Sequence, residues 1–145
     1  MTLFTIGFTR KTAEQFFEKL KTVGVKRVVD IRLNNTSQLA GFAKRDDLVY
    51  FLKAICGIDY VHIPDLAPDK KLLEFIKKKK GPWAEYEAGY LDLITERKAN
   101  GKFLLETLKD GDCLLCSEHT PERCHRRIVA ELYESKENPV EIVHL

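Results

Sequence analysis

The densest chemistry in the sequence lies between residues 113 and 126, where Cys113, Cys116 and Cys124 stand among Ser117, Glu118, His119, His125 and Arg126. Three chemistries suit such a stretch. In the first, Arg126 or Arg127 and the start of a helix hold a phosphate while Asp30, Glu118 or His125 transfers a proton. In the second, Cys116, His119, Cys124 and His125 ligate a metal. That donor set suits zinc, although the C-x-x-H-x4-C-H spacing lacks the paired doublets of structural zinc sites. In the third, a nucleophilic cysteine sits in a strand-loop-helix turn. Such loops are Gly-rich and carry an arginine one residue closer than Arg123 is to Cys116, and Glu118 and Glu122 would repel a phosphate, so this reading is the weakest of the three.

Helix chemistry sharpens the picture. Pro121 suits the first position of a helix, with Thr120 as its cap, which puts Cys124 in or just after the first turn. There the helix terminus and Arg126 and Arg127 would favour a thiolate. Each of these residues also has a plainer role. Cys113 alternates with apolar residues and reads as core, and Cys56 at a helix end reads as packing. Cys116 suits a buried thiol equally, and His125 an ordinary helix-terminus histidine. Asp30 and Arg32 suit a structural ion pair with Arg126.

Positioning these groups requires alternating strands and helices, and the sequence supplies them. Leu3–Ile6 is a β-rich run, and Thr12 caps a helix with Ala13, Phe16, Phe17 and Leu20 on one face, stopped by Gly24. Arg27–Arg32 reads as a buried parallel strand. Asp46 is a candidate cap for a helix carrying Leu48, Phe51, Leu52 and Ile55, closed by Gly57. Ile58–Ile63 is a third strand, ended by Pro64. Helical patterns cover about 70–79 and 84–99, broken at Gly81-Pro82, and a shorter one lies near 102–109. Cys113–Cys116 forms a fourth strand, a helix spans about 122–135, and Val140–His144 is the last strand, on either edge and in either direction. This alternation predicts a single three-layer α/β domain over 1–145, with a mostly parallel sheet of about five strands and helices on both faces.

In open α/β sheets ligands bind beyond the carboxyl ends of the strands. The residues that fall there are Thr9 and Arg10, then Asp30, Arg32, Asn34, Asn35, Thr36 and Ser37, then Tyr60 and His62, and finally Ser117, Glu118 and His119 with Cys124, His125 and Arg126. A parallel sheet makes them converge on one rim. Lys77–Lys80 has the look of a nucleic-acid grip, but reads first as the solvated end of a helix, where cations complement the dipole. Trp83, Tyr86 and Tyr90 share a helix face and read as core or pocket wall more than as a base-stacking platform.

Composition sets outer bounds. At 145 residues, with 44% hydrophobic and 32% charged, the chain can bury a proper core and is neither disordered nor fibrous. No apolar run approaches the roughly 20 residues of a membrane span, and the amino end reads as a strand, not a signal peptide. The expectation is a cytoplasmic protein with no membrane partner. A net charge of +2 and an isoelectric point near 8.3 fall short of a strongly basic nucleic-acid module, leaving room for a local basic patch.

Thr5-Ile6-Gly7-Phe8-Thr9, Val29-Asp30-Ile31-Arg32, Tyr60-Val61-His62-Ile63-Pro64, Leu115-Cys116-Ser117-Glu118 and Cys124-His125-Arg126 together resemble the successive motifs of the "domain of unknown function 488" family, from first strand to last. Phe8, Asn34-Asn35 and Leu66-Ala67 depart from the family's pattern. The resemblance implies a fold class and a site but no settled reaction. The expected function is a small enzyme or ligand-binding domain for a phosphate-bearing small molecule, a nucleotide or nucleic acid. In that reading Arg32 and Arg126 bind the anion with Thr9 and His62 near it, Asp30 or Glu118 acts as acid or base, and His125 relays a proton. Cys116 and Cys124 are redox-sensitive neighbours or metal ligands. The alternatives are a non-enzymatic nucleic-acid-binding or regulatory module, and a metal-stabilised domain built on the Cys/His cluster, with zinc a candidate ion.

Overall fold

The computed structural model describes residues 1–36, 40–99, 101, 105–118, 120–136 and 139–145. Among these residues five strands form one sheet: β1 (Thr2–Gly7), β2 (Arg27–Asp30), β3 (Asp59–His62), β4 (Asp112–Cys116) and β5 (Glu141–His144). Their order across the sheet is β3-β2-β4-β1-β5, and every neighbouring pair is parallel. The last strand, whose edge and direction the sequence left open, adds to β1 with Thr5 opposite His144.

The helices are α1 (Ala13–Val23), α2 (Arg45–Phe51), α3 (Lys70–Lys77), α4 (Trp83–Ala99) and α5 (His125–Lys136). From β1 the chain moves one way across the sheet to β2 and β3. It then reverses, to β4 and on to β5. Right-handed crossovers running in opposite directions must leave by opposite faces. Accordingly Phe16, Phe17 and Leu20 of α1 and Leu48 of α2 pack on one face with Val28, Cys113 and Leu115. Tyr90 and Ile94 of α4 and Ile128, Val129 and Tyr133 of α5 pack on the other with Val29, Ile31 and Leu114. The result is the three-layer α/β arrangement that the alternation implies. No helix among the described residues is long and apolar enough to cross a membrane.

Local signals account for several element ends. Thr12 caps α1 in a reciprocal capping box with Gln15, and Gly24 ends it in the left-handed region at φ 81°. Gly57 likewise ends the π-type turn Leu52–Cys56 that continues α2. Asp46, expected as the cap of α2, lies instead inside its first turn, because the chain turns helical at Arg45, with Lys44 as an N-cap that makes no side-chain bond. Between α4 and β4 the described residues form the short 3-10 turn Leu105–Thr107, and residues 102–104 of the expected helix lie outside the described residues.

The start of α5 also differs from expectation. Thr120 and Pro121 do not open the helix. The Cys124 N–H closes a turn onto the Pro121 carbonyl at 3.2 Å, and the helical bonds begin with the Arg127 N–H on the Cys124 carbonyl, also at 3.2 Å. Cys124, His125 and Arg126 are all buried, at 3%, 4% and 0% exposure. Seating three consecutive side chains inside the protein fixes where the helix can start.

Candidate functional site

Strand β4 lies between β2 and β1, and the chain leaves both of those strands by the face opposite to the one it takes after β4. Where neighbouring connections diverge in this way, a crevice opens at the carboxyl ends of the strands. A cavity of about 680 Å³ is found there, within the roughly 300–1,000 Å³ usual for small-molecule sites. Arg32 and Asn34 line it from beyond β2, Cys116, Ser117 and Glu118 from the end of β4, and Arg123, Cys124 and His125 from the start of α5. Lys77, Lys80, Trp83 and Tyr86 close the side made by α3 and α4. Trp83 and Tyr86 are stacked, with ring centroids 4.8 Å apart and planes 25° from parallel.

Cys116, Cys124 and His125 form a tight buried group on this wall, their Sγ, Sγ and ring nitrogen atoms all within 4.8 Å of one another. The Cys116 Sγ lies 3.4 Å from His125 Nδ1. On its other side the imidazole meets the Ile31 carbonyl at 2.8 Å, so Nε2 carries the proton and donates it. The edge of Tyr90 packs against the same ring, at 5.5 Å between centroids. A hydrogen bond from Cys124 holds the Cys116 thiol below its ordinary value against the effect of burial, and the Ser117 N–H and Arg126 act in the same direction. Cys124 moves the other way: burial pushes it well above the ordinary value, reinforced by Cys116. The sequence expectation that Cys124 is the thiolate is therefore corrected. Cys124 precedes α5 in a buried turn, and Cys116 is the thiol that gains the hydrogen bonds.

Asp30 belongs to a second group, on the other face of the sheet. Its carboxylate takes Arg32 Nε at 2.8 Å and Nη2 at 2.8 Å, Tyr60 Oη at 2.6 Å and Asn35 Nδ2 at 3.4 Å. Arg32 Nη1 donates to the Ala43 carbonyl at 2.7 Å, and the guanidinium lies 5.4 Å from the Phe8 ring centroid. Burial alone would raise the Asp30 carboxyl, but the hydrogen bonds and charge of Arg32, with Tyr60, outweigh it and hold the group below its ordinary value. Burial first, then the hydrogen bond to Asp30 and its charge, pushes Tyr60 up. Asp30 has no place on the cavity wall; Arg32 reaches it with its guanidinium already committed. Asp30 and Arg32 thus form the ion pair that was the plainer reading, without Arg126 in it.

Arg126 is fully buried behind the wall. Its Nη1 donates to the Glu118 carbonyl at 2.6 Å and lies 3.7 Å from Cys124 Sγ. Gly7 makes that packing feasible: a Cβ there would stand 1.6 Å from the Glu118 carbonyl oxygen and 2.7 Å from Arg126 Nη1. Thr9 ties the turn after β1 to the same loop, with Oγ1 donating to the Ser117 carbonyl at 2.5 Å. His62 Nε2 donates to the Arg32 carbonyl at 2.9 Å. Thr9, His62 and Arg126 therefore shape the rim from outside the cavity, whereas Glu118, His125, Cys116 and Cys124 are on its wall. His119 and Ser37 lie outside the described residues.

Residues away from the strand ends also border the cavity. Lys77 and Lys80 are exposed, as the end of a helix should be, yet both border the cavity, as does Arg123. A strand-end rule cannot find them, because they come from a helix end and a turn. Asn35 was visible only as part of a polar run.

A family model described as "Domain of unknown function DUF488" matches residues 12–133, which takes in Asp30, Arg32, Cys116, Glu118 and Cys124–Arg126 and leaves the Thr5-Ile6-Gly7 start outside. No curated protein and no solved structure matches the chain.

Proposed function

From the premise that this chain belongs to the DUF488 family, whose function is unknown, we propose that the cavity at the carboxyl rim binds a phosphate-bearing small molecule of the nucleotide type. The observation that carries the reading is the composition of the wall. Among the described residues of the wall, Lys77, Lys80 and Arg123 stand against the one carboxylate of Glu118, beside the stacked Trp83–Tyr86 pair. Cations suit the phosphates, and an aromatic face suits a flat base. Arg32 adds little net charge, since Asp30 neutralises it. Trp83 Nε1 is buried with no hydrogen-bond partner among the described residues, and a bound ligand can supply one.

In this reading the anion falls to the lysines and Arg123, with Arg126 contributing positive potential from behind the wall. Glu118 is the group that can exchange a proton with the ligand if the site is catalytic, and Asp30 acts only by holding Arg32. Four free cysteines suit a reducing compartment, so the cytoplasm is the compartment we assign.

Calorimetric titration with adenosine diphosphate, inorganic phosphate and adenosine tests the reading. Adenosine diphosphate should bind most tightly and adenosine least. Replacing Lys77, Lys80 and Arg123 together by Ala should weaken binding on the order of tenfold or more, since exposed charge pairs contribute modestly one by one. Folded wild-type protein that binds neither phosphate compound, or equal affinity in the triple variant, overturns it. Binding of a single-stranded oligonucleotide without binding of the diphosphate would replace it by the nucleic-acid reading.

A further inference from the structure

The buried Cys116, Cys124 and His125 group has a geometry that anion binding does not require. We propose that these three residues are the protein ligands of a zinc ion whose fourth position opens into the cavity. The proposal does not rest on the nucleotide reading.

Donor type comes first. Two thiols and an imidazole make up a sulfur-rich, borderline-soft set that selects zinc over magnesium or calcium. Geometry comes next. Two ligands of a tetrahedral zinc, with bonds of about 2.3 Å to sulfur and 2.0–2.1 Å to nitrogen, stand about 3.5 Å apart. Cys116 Sγ and His125 Nδ1 are 3.4 Å apart, and the remaining sulfur lies within 4.8 Å of both. The atoms need move only a little to share one ion.

The surroundings agree. A ligating histidine ordinarily donates its other ring N–H to a carbonyl or carboxylate, which fixes the tautomer and turns the free nitrogen to the metal. His125 does so through Nε2 to the Ile31 carbonyl at 2.8 Å, leaving Nδ1 toward the sulfurs. Tyr90 holds the ring by its edge. Arg126 Nη1, 3.7 Å from Cys124 Sγ, is a donor suited to a thiolate that a metal has deprotonated. Binding of the divalent ion releases two thiol protons to bulk water and leaves a neutral Zn(Cys)₂His unit beside the Arg126 charge.

The same residues line the cavity, which distinguishes this site from a buried structural clip. Three protein ligands with an accessible fourth position are the arrangement of catalytic zinc, where a water or ligand oxygen completes the shell. Glu118 is on the same wall and can accept a proton from such a water.

Cobalt serves as the spectroscopic stand-in for zinc, titrated into full-length apo protein without nucleotide. The expected result is one cobalt per chain, with a thiolate-to-cobalt charge-transfer band in the near ultraviolet and the intense visible bands of tetrahedral cobalt. Zinc should displace it. Inorganic phosphate or azide should shift the visible bands, reporting the open position. Cys124→Ser and His125→Ala, each confirmed as folded by circular dichroism, should weaken binding on the order of 100-fold or more, above the range seen for second-shell changes. His119→Ala should leave stoichiometry and spectrum unchanged.

Absence of a charge-transfer band in folded wild-type protein overturns the site, a result that needs no variant. Retention of full affinity in a folded ligand variant overturns the assignment of that ligand. Loss of metal in His119→Ala, or visible bands indifferent to added anions, overturns the open position. Cobalt binding without binding of adenosine diphosphate would leave this site standing and remove the nucleotide reading; the reverse result would do the opposite.

Discussion

Asp30 and Cys116 end neighbouring strands, yet they sit in opposite kinds of surroundings. Asp30 is in register with Leu115, one residue short of Cys116, so the two side chains point to opposite faces of the sheet. On one face Asp30 meets Arg32, Tyr60 and Asn35, and the charge is balanced and sealed. On the other face Cys116 meets Cys124 and His125 on the wall of a cavity. Groups that looked like members of one site are two, separated by the pleat. A buried, fully paired carboxylate holds structure, whereas buried thiols and an imidazole bordering open space can take a ligand.

If that division holds, substitutions on the Asp30 side cost stability, and substitutions on the cavity side cost binding. The largest expected effect is from Asp30→Asn, which leaves the Arg32 charge buried without its partner. We expect a loss of about 3–5 kcal/mol in denaturant unfolding, the usual range for breaking a buried pair. The division would collapse if this variant kept its stability and lost adenosine diphosphate binding. The pH dependence carries the same information. Because the folded-state Asp30 pKa lies below its ordinary value of 3.8, its contribution is complete above that pH and is lost as pH falls through the folded value. Wild type and Asp30→Asn should therefore converge in stability only below pH 3.8.

Gly7→Ala sits on the border between the two groups. Its new methyl would meet the Glu118 carbonyl at 1.6 Å, so the rim loop must move. We expect about 1–3 kcal/mol lost to overpacking, with weaker diphosphate binding as well; unchanged affinity would mean that the cavity does not depend on that loop. Tyr60→Phe removes one donor from the Asp30 carboxylate. It should cost about 1.5 kcal/mol, the low end for a hydrogen bond to a charged group because Tyr60 is partly exposed, with affinity for the diphosphate intact.

The smallest effect has the opposite sign. Lys80 has φ 48°, in the left-handed region that disfavours side chains. Lys80→Gly should relieve up to about 1 kcal/mol of backbone strain while weakening binding of the diphosphate. A variant that gains stability and keeps its affinity would remove Lys80 from the cation set. Strain held at a cavity-lining lysine, if relieved at the cost of binding, is what a functional position predicts.

Much of this protein is legible before folding is considered. The capping of α1 by Thr12 and its stop at Gly24 follow from residues within a few positions of each other, as does the break at Gly81-Pro82. The closeness of Cys124, His125 and Arg126 is guaranteed by adjacency, and that of Cys116 by a short connection. The helix start at His125 was not legible, because it is set by the burial of Cys124 and Arg126 and not by the capping propensities of Thr120 and Pro121. Nor was the placement of Lys77 and Lys80 beside the cavity, which follows from the long crossover that carries the chain from β3 past β2 to β4.

The sequence by itself determined most of the elements, a mostly parallel sheet with its last strand left open, and the placing of polar groups at the strand ends, because periodicity, caps and crossover length are local or nearly local properties. Tertiary structure alone decided strand order and register, and through them which of two adjacent strand ends faces which layer. A shift of one residue between β2 and β4 would have put Asp30 beside the thiols. The pairing of backbone hydrogen bonds across the sheet set that parity, and with it the difference between a sealed ion pair and an open site.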